Sequence, residues 1–498
     1  MKFKVKDMDI ATGGILIVLI NKNDADKYDL HAMDRVKLTN GRYSETALID
    51  IGESKKVVPS GTIGLFEEVM HSLKAKSKDT IHMRLARKPL SVQFIKKKLD
   101  GKTLNKSEID QIVWDIVHNK LNDVELTYFV SACYTNVVTL KETVLLTKAM
   151  AECGDILKIN DYPVMDKHCI GGVAGNRTTM ILVPIIAAAG LKIPKTSSRS
   201  ITSPAGTADT MEVLTNVSIP IKKMKSIIKE INGCMVWGGA LNLAPSDDKI
   251  IKVERPLAID AESQLLASIM AKKHSVSSTH ILIDIPIGKG AKIESKEEAL
   301  NLKESFEQVG QALKKHIKVI ITDGSQPIGK GIGPALEARD VLWILKGDPN
   351  QPQGLKQKSV LMAGYMLELA GKSKPGFGYK SALGILESGA AYKKMKEIIK
   401  KQGGKNNIKP EDIKLGKYTY NYKASRSGRV GHIDNQIISR IARIAGAPKD
   451  KEAGIYLFKH KKYKVKKEEI LFTLYAESKE KFRNAIAELK TQHPYIIK

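Results

Sequence analysis

The sequence predicts a multidomain α/β protein with four parts. These are a small N-terminal β-rich, barrel-like domain, an all-helical domain, a central α/β sheet domain with phosphate-binding loops, and a C-terminal α+β domain. At 498 residues the chain is long enough for two to four domains with sizeable cores. The spacing of its apolar residues changes along the chain from strand-like to helical, then alternates, then returns to strand-like. This order of patterns predicts the order of the domains.

Residues 1–85 contain short apolar and β-branched runs separated by turns, which predict a small β-rich domain. The runs are KFKVKDMDI, GGILIVLI, RVKLTN and TALIDIG. Between them, NKNDADKYDL predicts a short helix with Asn23 or Asp24 as its N-cap. The pattern resembles the cradle-loop or double-psi barrel modules that precede other enzymes and ATPases.

Residues 86–162 have apolar positions three and four apart, which predicts a helical bundle. Ser107, Thr139 and Thr143 are available as helix caps. We expect a contribution to this domain from about residues 215–235. No residue pattern in this predicted bundle indicates a catalytic or ligand-binding site.

Residues 163–350 alternate between strand-like and helix-like segments, with apolar runs that end in Gly or Asp. Such alternation predicts a central sheet, whose ligands bind at the carboxyl ends of the strands. Residues 351–416 form a predicted helical and linker region with one helix over residues 382–401, and residues 417–498 a predicted C-terminal α+β domain.

Charge and composition restrict the partners. Lys and Arg number 81 against 54 Asp and Glu, a net charge of +27 that favours anionic partners. Aromatic residues make up only 5%, which argues against a base-stacking surface, so no nucleic acid partner is expected. The four cysteines show no CxxC pairing and are expected to be reduced thiols. No signal peptide or membrane span is predicted, so we expect a cytoplasmic protein without a membrane partner.

The segment from Asp166 to Leu214 combines a lysine, paired glycines and many hydroxyls around one apolar run of helix length. Gly171 and Gly172 allow backbone amides to approach an anion, and the following helix can offer its N-terminus. A Gly-Gly pair alone also fits an ordinary turn before a buried helix. Two hydroxyl-rich loops that flank the helix favour a phosphate site.

Within this segment, DKHCIGGV resembles the signature of the thymidine and pyrimidine nucleoside phosphorylases. GNRTT and KTSSRSITSPAGTADTME are more similar to their archaeal relatives, the AMP phosphorylases. The resemblance continues through LAPSDDKIIKVERPLAID, LLASIMAKK, IPIGKGAKIES, SGRVGHID and GIYLFKHKKYKVKKEEILFTLYA, and so covers most of the chain.

The resemblance implies phosphorolysis of nucleoside 5′-monophosphates in nucleotide salvage or AMP degradation. AMP and phosphate would give adenine and ribose 1,5-bisphosphate, and CMP and UMP are expected as further substrates. Phosphate is then a co-substrate, and neither a cofactor nor a metal is required. The family's helical domain forms dimers and the archaeal branch assembles further through its N-terminal domain, which implies a homodimer within a larger homo-oligomer.

The resemblance also implies roles for individual residues. Asp260 is the expected proton donor to the departing base. The expected phosphate-binding residues are Lys167, Thr179, Ser197 and Thr207. The expected AMP-binding residues are Gly172, Ser198, Arg199, Ser200, Ile201, Thr202, Ser203, Thr207, Ser268 and Lys292. Possible base contacts are Arg255 and Lys272. Cys169 stands where the relatives usually have serine, and a thiol is the weaker donor.

Two of these roles can be examined from the residues themselves. A proton donor needs a raised pKa, which apolar neighbours and nearby Glu254 and Glu262 would favour for Asp260, although a helix N-cap is an equally good interpretation. A nucleotide site also needs donors for the 5′-phosphate, and Arg199, Ser200 and Lys292 are the candidates. The loop SITSPAGT replaces a GLGHTGGT-like loop of the pyrimidine enzymes and favours the nucleotide branch.

Two alternatives remain open. One is a pyrimidine nucleoside (thymidine) phosphorylase or a related phosphoribosyltransferase, because SSRSITSPAGTAD resembles the SSxSGSAD-like loop of the transferases. The Gly-Thr-Gly-Gly-Asp turn expected of a transferase is absent, since the chain has Cys-Ile-Gly-Gly-Val. The more remote alternative is an RNA-binding protein, suggested by charge alone.

Overall fold

The protein is described by a computed structural model that covers residues 1–54, 56–200, 203–254, 256, 261–405 and 407–498. The chain forms two compact units, Met1–Glu142 with Ser246–Ala261, and Thr143–Pro245 with Glu262–Lys498. The later segment of the chain that belongs to the same unit as the helices is therefore Ser246–Ala261. We had expected residues 215–235 to make this contribution. The expectation failed because the apolar face of the helix Ile221–Ile231 is buried in the core of the second unit.

In the first unit, six strands close into a barrel in the order β1-β5-β2-β4-β3-β6, as predicted for residues 1–85. Its elements are β1 (Lys2–Asp7), β2 (Ile17–Asn21), α1 (Lys22–Tyr28), β3 (Arg35–Asn40), β4 (Tyr43–Gly52), β5 (Thr62–Leu65), α2 (Glu67–Leu73) and β6 (Thr80–Leu85). The N-cap of α1 is Asn21 and not Asn23 or Asp24, because the Asn21 side chain accepts a hydrogen bond from the Asn23 amide at 3.0 Å. Asp24 instead accepts hydrogen bonds from Ser60 and Gly61.

The predicted helices follow the barrel. They are α3 (Ser91–Leu99), α4 (Lys106–Val117), α5 (Asp123–Thr135) and α6 (Leu140–Glu152). Asn105 caps α4 in place of Ser107, with its side chain 3.1 Å from the Glu108 amide. Thr139 accepts a hydrogen bond from the Glu142 amide at 3.2 Å, as a helix cap does.

The central part of the second unit alternates strands and helices. The elements are β7 (Met165–Cys169), α7 (Thr178–Ala188), β8 (Ile193–Ser197), α8 (Thr207–Met211), α9 (Ile221–Ile231), β9 (Gly233–Trp237), α10 (Pro245–Glu254, in the first unit after Pro245), α11 (Glu262–Ser275), β10 (His280–Ile287), α12 (Lys296–Ala312), β11 (His316–Asp323), β12 (Gly331–Ile332) and α13 (Pro334–Lys346). Strands β11, β10 and β7 pair in parallel, as do β8 and β9. A parallel bridge between Val164 and Lys192 joins the two groups, so the carboxyl ends of all five strands lie at one edge.

Helix α7 lies at the centre of this unit, with ten of its eleven residues buried. It shares its core with α14 (Gln353–Leu369), α15 (Gly378–Glu387) and α16 (Ala390–Lys401). The single helix predicted over residues 382–401 is wrong, because Gly389, at φ +78°, separates α15 from α16.

The C-terminal part is α+β, as predicted. Its elements are β13 (Tyr418–Lys423), β14 (Gly428–Ile433), α17 (Asn435–Ile444), β15 (Gly454–Leu457), β16 (Lys464–Val465), β17 (Ile470–Ala476), α18 (Lys479–Thr491) and β18 (Tyr495–Ile497). The order β12-β15-β17-β13 shows that the central part contributes one strand to this sheet. Among the described residues, no helix is both long and apolar enough to cross a membrane.

Candidate active site

Two hydroxyl-rich loops lie at the carboxyl edge of the sheet. The first loop, residues 170–177, connects β7 to α7. The second loop lies between β8 and α8, and its described residues are 198–200 and 203–206. Parallel α/β sheets bind ligands at this edge. The structure therefore places both predicted phosphate-binding segments where a ligand is expected.

Lys167 precedes the first loop and is almost completely buried on β7. Its Nζ donates to the hydroxyl of Thr178 at 3.0 Å, at the start of α7, and Thr179 follows in the same turn. Burial lowers the pKa of Lys167, whereas the nearby Asp284 acts to raise it. Within the described part of the chain Nζ has that single hydrogen-bond partner, which leaves two N–H donors for an anion.

The first loop packs closely against the loop that contains Lys292. Gly172 has φ +88°, and a Cβ on it would lie 2.2 Å from the Lys292 amide nitrogen. Only glycine allows so close an approach of two backbones at this φ. The structure thus brings together Gly172 and Lys292, two residues predicted to bind the nucleotide.

A buried polar cluster lies between β7, β10 and α14. Asp284 is completely buried, accepts a hydrogen bond from Thr322 at 2.6 Å and pairs with Lys358 at 3.2 Å. Burial and the nearby Asp284 raise the pKa of Cys169 to about 11. The Cys169 thiol is therefore neutral near pH 7, and it accepts a hydrogen bond from Asn176 at 3.4 Å.

Arg177 connects the two loops. Its guanidinium donates to Thr207 at 3.3 Å, to the carbonyl of Ala205 and to the carboxylate of Glu337. Glu337 is also buried and accepts hydrogen bonds from Thr210 and the Gly333 amide, both at 3.1 Å. Thr207, a predicted phosphate ligand, is thereby held against the end of the first loop.

A carboxylate from the following helix organises the second loop. Oδ2 of Asp209 accepts hydrogen bonds from the amides of Ser200 at 2.8 Å and Gly206 at 2.9 Å. Ser203 donates to the Ala205 carbonyl at 3.0 Å. At the end of β8, the Ser197 hydroxyl donates to the Val236 carbonyl at 3.3 Å. Ser198 lies beside Gly206, because a Cβ on that glycine would be 2.6 Å from the Ser198 carbonyl oxygen.

Arg199, a candidate for the 5′-phosphate, is paired with carboxylates. Its guanidinium binds Glu212 through two nitrogens at 2.5 and 2.7 Å and lies 3.3 Å from Asp209. Lys451 of the C-terminal part also pairs with Glu212 at 2.7 Å. The hydrogen bonds and charges of Arg199 and Lys451 lower the pKa of Glu212 to about 2. Much of the positive charge of Arg199 is therefore already neutralised.

The opposite face of β7 carries a second buried charge cluster. Asp166 pairs with Lys273 at 2.9 Å and with Lys195 at 3.6 Å. Burial opposes ionisation of Asp166, but the two lysines keep its pKa below the ordinary value. Burial and the neighbouring Lys273 lower the pKa of Lys195 to about 7. Burial and these lysines also hold the pKa of His168 far below its usual range, so its imidazole is neutral.

The predicted residues of α11 lie one helical turn apart. Ser268 and Lys272 are both half-buried on this helix. Lys272 is close enough to His168 to contribute to lowering the pKa of that histidine. The predicted residues Ile201, Thr202, Arg255 and Asp260 lie outside the described residues.

The sequence did not indicate several polar groups of the site, namely Arg177, Lys195, Lys273, Asp284, Glu337 and Lys358. The available signal was a charged residue next to an apolar run, as for Glu337 beside PAL and Lys358 before SVLMAGYML. Such residues are rarely buried without a partner. The described residues contain no group of three or more His, Cys, Asp or Glu side chains suited to a metal ion.

Three family models match successive parts of the chain. The helical bundle domain of the glycosyl transferase family matches residues 92–154, its a/b domain residues 161–392, and the pyrimidine nucleoside phosphorylase C-terminal domain residues 429–495. The structure is also similar to anthranilate phosphoribosyltransferase from Thermus thermophilus, with a TM-score of 0.52 and 19% identity over 62% of this chain and 98% of that one. This likeness concerns the fold.

Relatives that match over the full length of the chain have a higher sequence identity than this structure. AMP phosphorylase of Pyrococcus furiosus is 48% identical over 100% of this chain and 98% of its own. The AMP phosphorylases of Thermococcus kodakarensis and Methanococcus vannielii are 47% and 43% identical, over 98% and 96% of their own lengths and 100% and 99% of this chain. The resemblance noted in the sequence motifs is thus confirmed over the whole length, and the chain belongs to the AMP phosphorylase family.

Proposed function

We propose that the protein converts AMP and phosphate to adenine and ribose 1,5-bisphosphate, and that it accepts CMP and UMP as well. The observation that carries this proposal is the 48% identity to AMP phosphorylase of Pyrococcus furiosus over the whole chain. The strand ends support it, because they gather a buried lysine, close-packed glycines and several hydroxyls at one edge. These groups suit two phosphates, one attacking and one on the substrate.

The attacking phosphate is assigned to Lys167, Thr179, Ser197 and Thr207. The ammonium group of Lys167 has two unused N–H donors and neutralises part of the charge of the phosphate. Arg177 keeps Thr207 beside the first loop. Phosphorolysis needs a phosphate oxygen held in line with C1′ of the ribose while the bond to the base breaks. Fixed donors achieve this by orientation and by stabilising charge.

The nucleotide is assigned to Gly172 and Lys292, to Ser268, and to the second loop with Thr207. Arg199, Ser200 and Lys292 are the candidates for the 5′-phosphate, and Glu212 and Asp209 already pair with the Arg199 guanidinium. Ser198, Ser200 and Ser203 supply further hydroxyls. Arg255 and Lys272 are assigned to the base.

Asp260 remains the predicted proton donor to the departing base. Asp260→Asn should lower kcat about 100-fold or more, in the range of general acid catalysis, with little change in AMP binding. Glu297→Gln, which also neutralises one carboxylate, is the control, because that side chain is exposed near the start of α12. Unchanged turnover of Asp260→Asn would remove Asp260 from the mechanism.

The substrate class can be tested directly. The purified protein is incubated with phosphate and AMP, CMP, UMP, adenosine or thymidine, and release of the free base is followed. Base release from nucleosides but not from nucleotides would contradict the proposal and favour a pyrimidine nucleoside phosphorylase. Turnover only with diphosphate in place of phosphate would indicate a phosphoribosyltransferase. Salt-sensitive RNA binding without turnover would favour the third alternative.

We further propose that the protein is a cytoplasmic homodimer that assembles into a larger homo-oligomer and requires no cofactor. The support is the family resemblance. Sedimentation and activity after treatment with a chelator would test the assembly and the independence from metal.

A further inference from the structure

We propose that Asn435, in the C-terminal part, is a positioning residue of the active site that fixes three of its loops relative to one another. The inference rests on the proposed function, since it concerns the same site. Asn435 is the first residue of α17 and is 1% exposed. It lies more than 250 positions after the first loop, and no family motif drew attention to it.

Both polar atoms of the Asn435 side chain bind backbone groups of the site. Oδ1 accepts a hydrogen bond from the Ala174 amide at 3.2 Å, in the first loop. Nδ2 donates to the carbonyl of Gly324 at 2.9 Å, directly after β11. A third loop, which follows β10, touches the same residue, because a Cβ on Gly290 would lie 3.8 Å from the Asn435 Cβ.

The three loops follow adjacent strands. Strands β7, β10 and β11 are neighbours in the sheet, so one side chain spans their carboxyl ends. Ala174 lies two residues after Gly172, and Gly290 lies two residues before Lys292. Asn435 therefore sits where it can fix the separation of the two residues assigned to the nucleotide.

The backbone that carries the Asn435 side chain is anchored at the start of α17. Asp434 caps α17 by accepting hydrogen bonds from the amides of Gln436 and Ile437, both at 2.9 Å. Without the Asn435 amide, the Ala174 N–H and the Gly324 carbonyl would lose a buried partner, which is costly, and the loops would separate. A displacement of about 1 Å can reduce turnover about 100-fold.

The test compares Asn435→Ala with Thr473→Val in the full-length protein. Thr473 is buried in the same C-terminal part, and its hydroxyl donates to Asn421 at 2.7 Å in the sheet, so the control also removes one side-chain hydrogen bond. We expect Asn435→Ala to lower kcat/KM for AMP about 10- to 100-fold, with a higher KM for both AMP and phosphate. Thr473→Val should lower the unfolding midpoint without changing either KM.

A second variant gives a readout that stability alone would not change, and it decides the question if Asn435→Ala does not fold. Asn435→Asp keeps the acceptor for Ala174 but places an ionised oxygen against the Gly324 carbonyl. At lower pH the protonated carboxyl can donate to that carbonyl. We therefore expect the activity deficit relative to wild type to shrink as pH falls from about 8 to about 5, across the range in which a buried carboxyl titrates.

The failures are distinguishable. Wild-type protein that does not release adenine from AMP with phosphate overturns the proposed function. Active wild-type protein with a folded Asn435→Ala variant within about twofold of its kcat/KM, or an Asn435→Asp deficit independent of pH, overturns the role of Asn435 alone.

Discussion

The two loops at the strand ends are held in different ways. The first loop is fixed by groups distant in sequence, namely the Lys292 backbone, Glu337 through Arg177, and Asn435. The second loop is fixed mainly by Asp209, three residues after its last residue. One loop therefore depends on the assembly of several strands and helices, and the other on a carboxylate in the next helical turn.

This difference between the loops determines how large an effect a substitution in each of them should have. A side chain added at Gly172 in the first loop has to move the backbone that carries Lys292, because these two segments touch through their main chains. A change at Asp209 releases two amides that can then bind water. We therefore expect larger effects from substitutions at the first loop than at the second.

The largest effect is expected where the loops join. Arg177→Met would leave Glu337 buried without its cation, and breaking a buried ion pair costs about 3–5 kcal/mol of the free energy of unfolding. Denaturant unfolding measures this loss. Adding Glu337→Gln should recover part of it, because the uncompensated charge is removed. No recovery in the double variant would contradict the pairing.

Gly172→Ala should affect activity more than stability. Its Cβ would lie 2.2 Å from the Lys292 amide nitrogen, so the two loops must separate. We expect kcat/KM for AMP to fall about 100-fold, as for a displaced catalytic group. Gly171→Ala is the matched control, because this neighbour also has a positive φ, +104°, but has nothing within 4 Å of a new Cβ. Equal losses in the two variants would show that φ strain, not the close contact, is responsible.

At the second loop, Asp209→Ala should raise the KM for phosphate about tenfold, because the amides of Ser200 and Gly206 lose their shared acceptor and the loop is held less firmly. Glu368→Ala is the control, since Glu368 also accepts hydrogen bonds from two loop amides, those of Gly376 and Gly378. It lies ten positions after Lys358 along α14, about 15 Å away. A KM that rises equally in the control would argue against a specific role of the second loop.

The smallest effect concerns the ion pairs of Glu212. Its pKa is lowered to about 2 from 4.5, so its contribution to stability is complete above pH 4.5 and is lost as pH falls from 4.5 to about 2. Because the pair is partly exposed, we expect about 1 kcal/mol or less. The free energy of unfolding, measured by denaturation at several pH values between 7 and 2, should therefore fall less steeply in acid for Glu212→Gln than for wild type. Identical pH dependence would show that the ion pairs do not stabilise the fold.

The same difference between local and distant contacts explains which parts of the fold could be predicted from the sequence. The barrel, the helices before β7, the central α/β sheet and the C-terminal α+β part were predictable, because the spacing of apolar residues is a local property. Cap positions were wrong at α1 and α4 because several adjacent polar residues could each have capped the helix. The expected contribution of residues 215–235 failed because periodicity shows that α9 has an apolar face but not which core receives it.

The motifs of the sequence were sufficient to identify the family, and Gly171 and Gly172 indicated where the backbone can approach an anion closely. Asp209 organises the second loop through contacts that are local in sequence, because the two amides it accepts from lie within ten residues of it. Three features arise only in the folded chain: Gly172 lies against Lys292, Arg177 joins the two loops, and Asn435 spans three strand ends. These contacts link residues up to 261 positions apart, and no local pattern records them, because they arise when parallel strands bring distant loops to one edge.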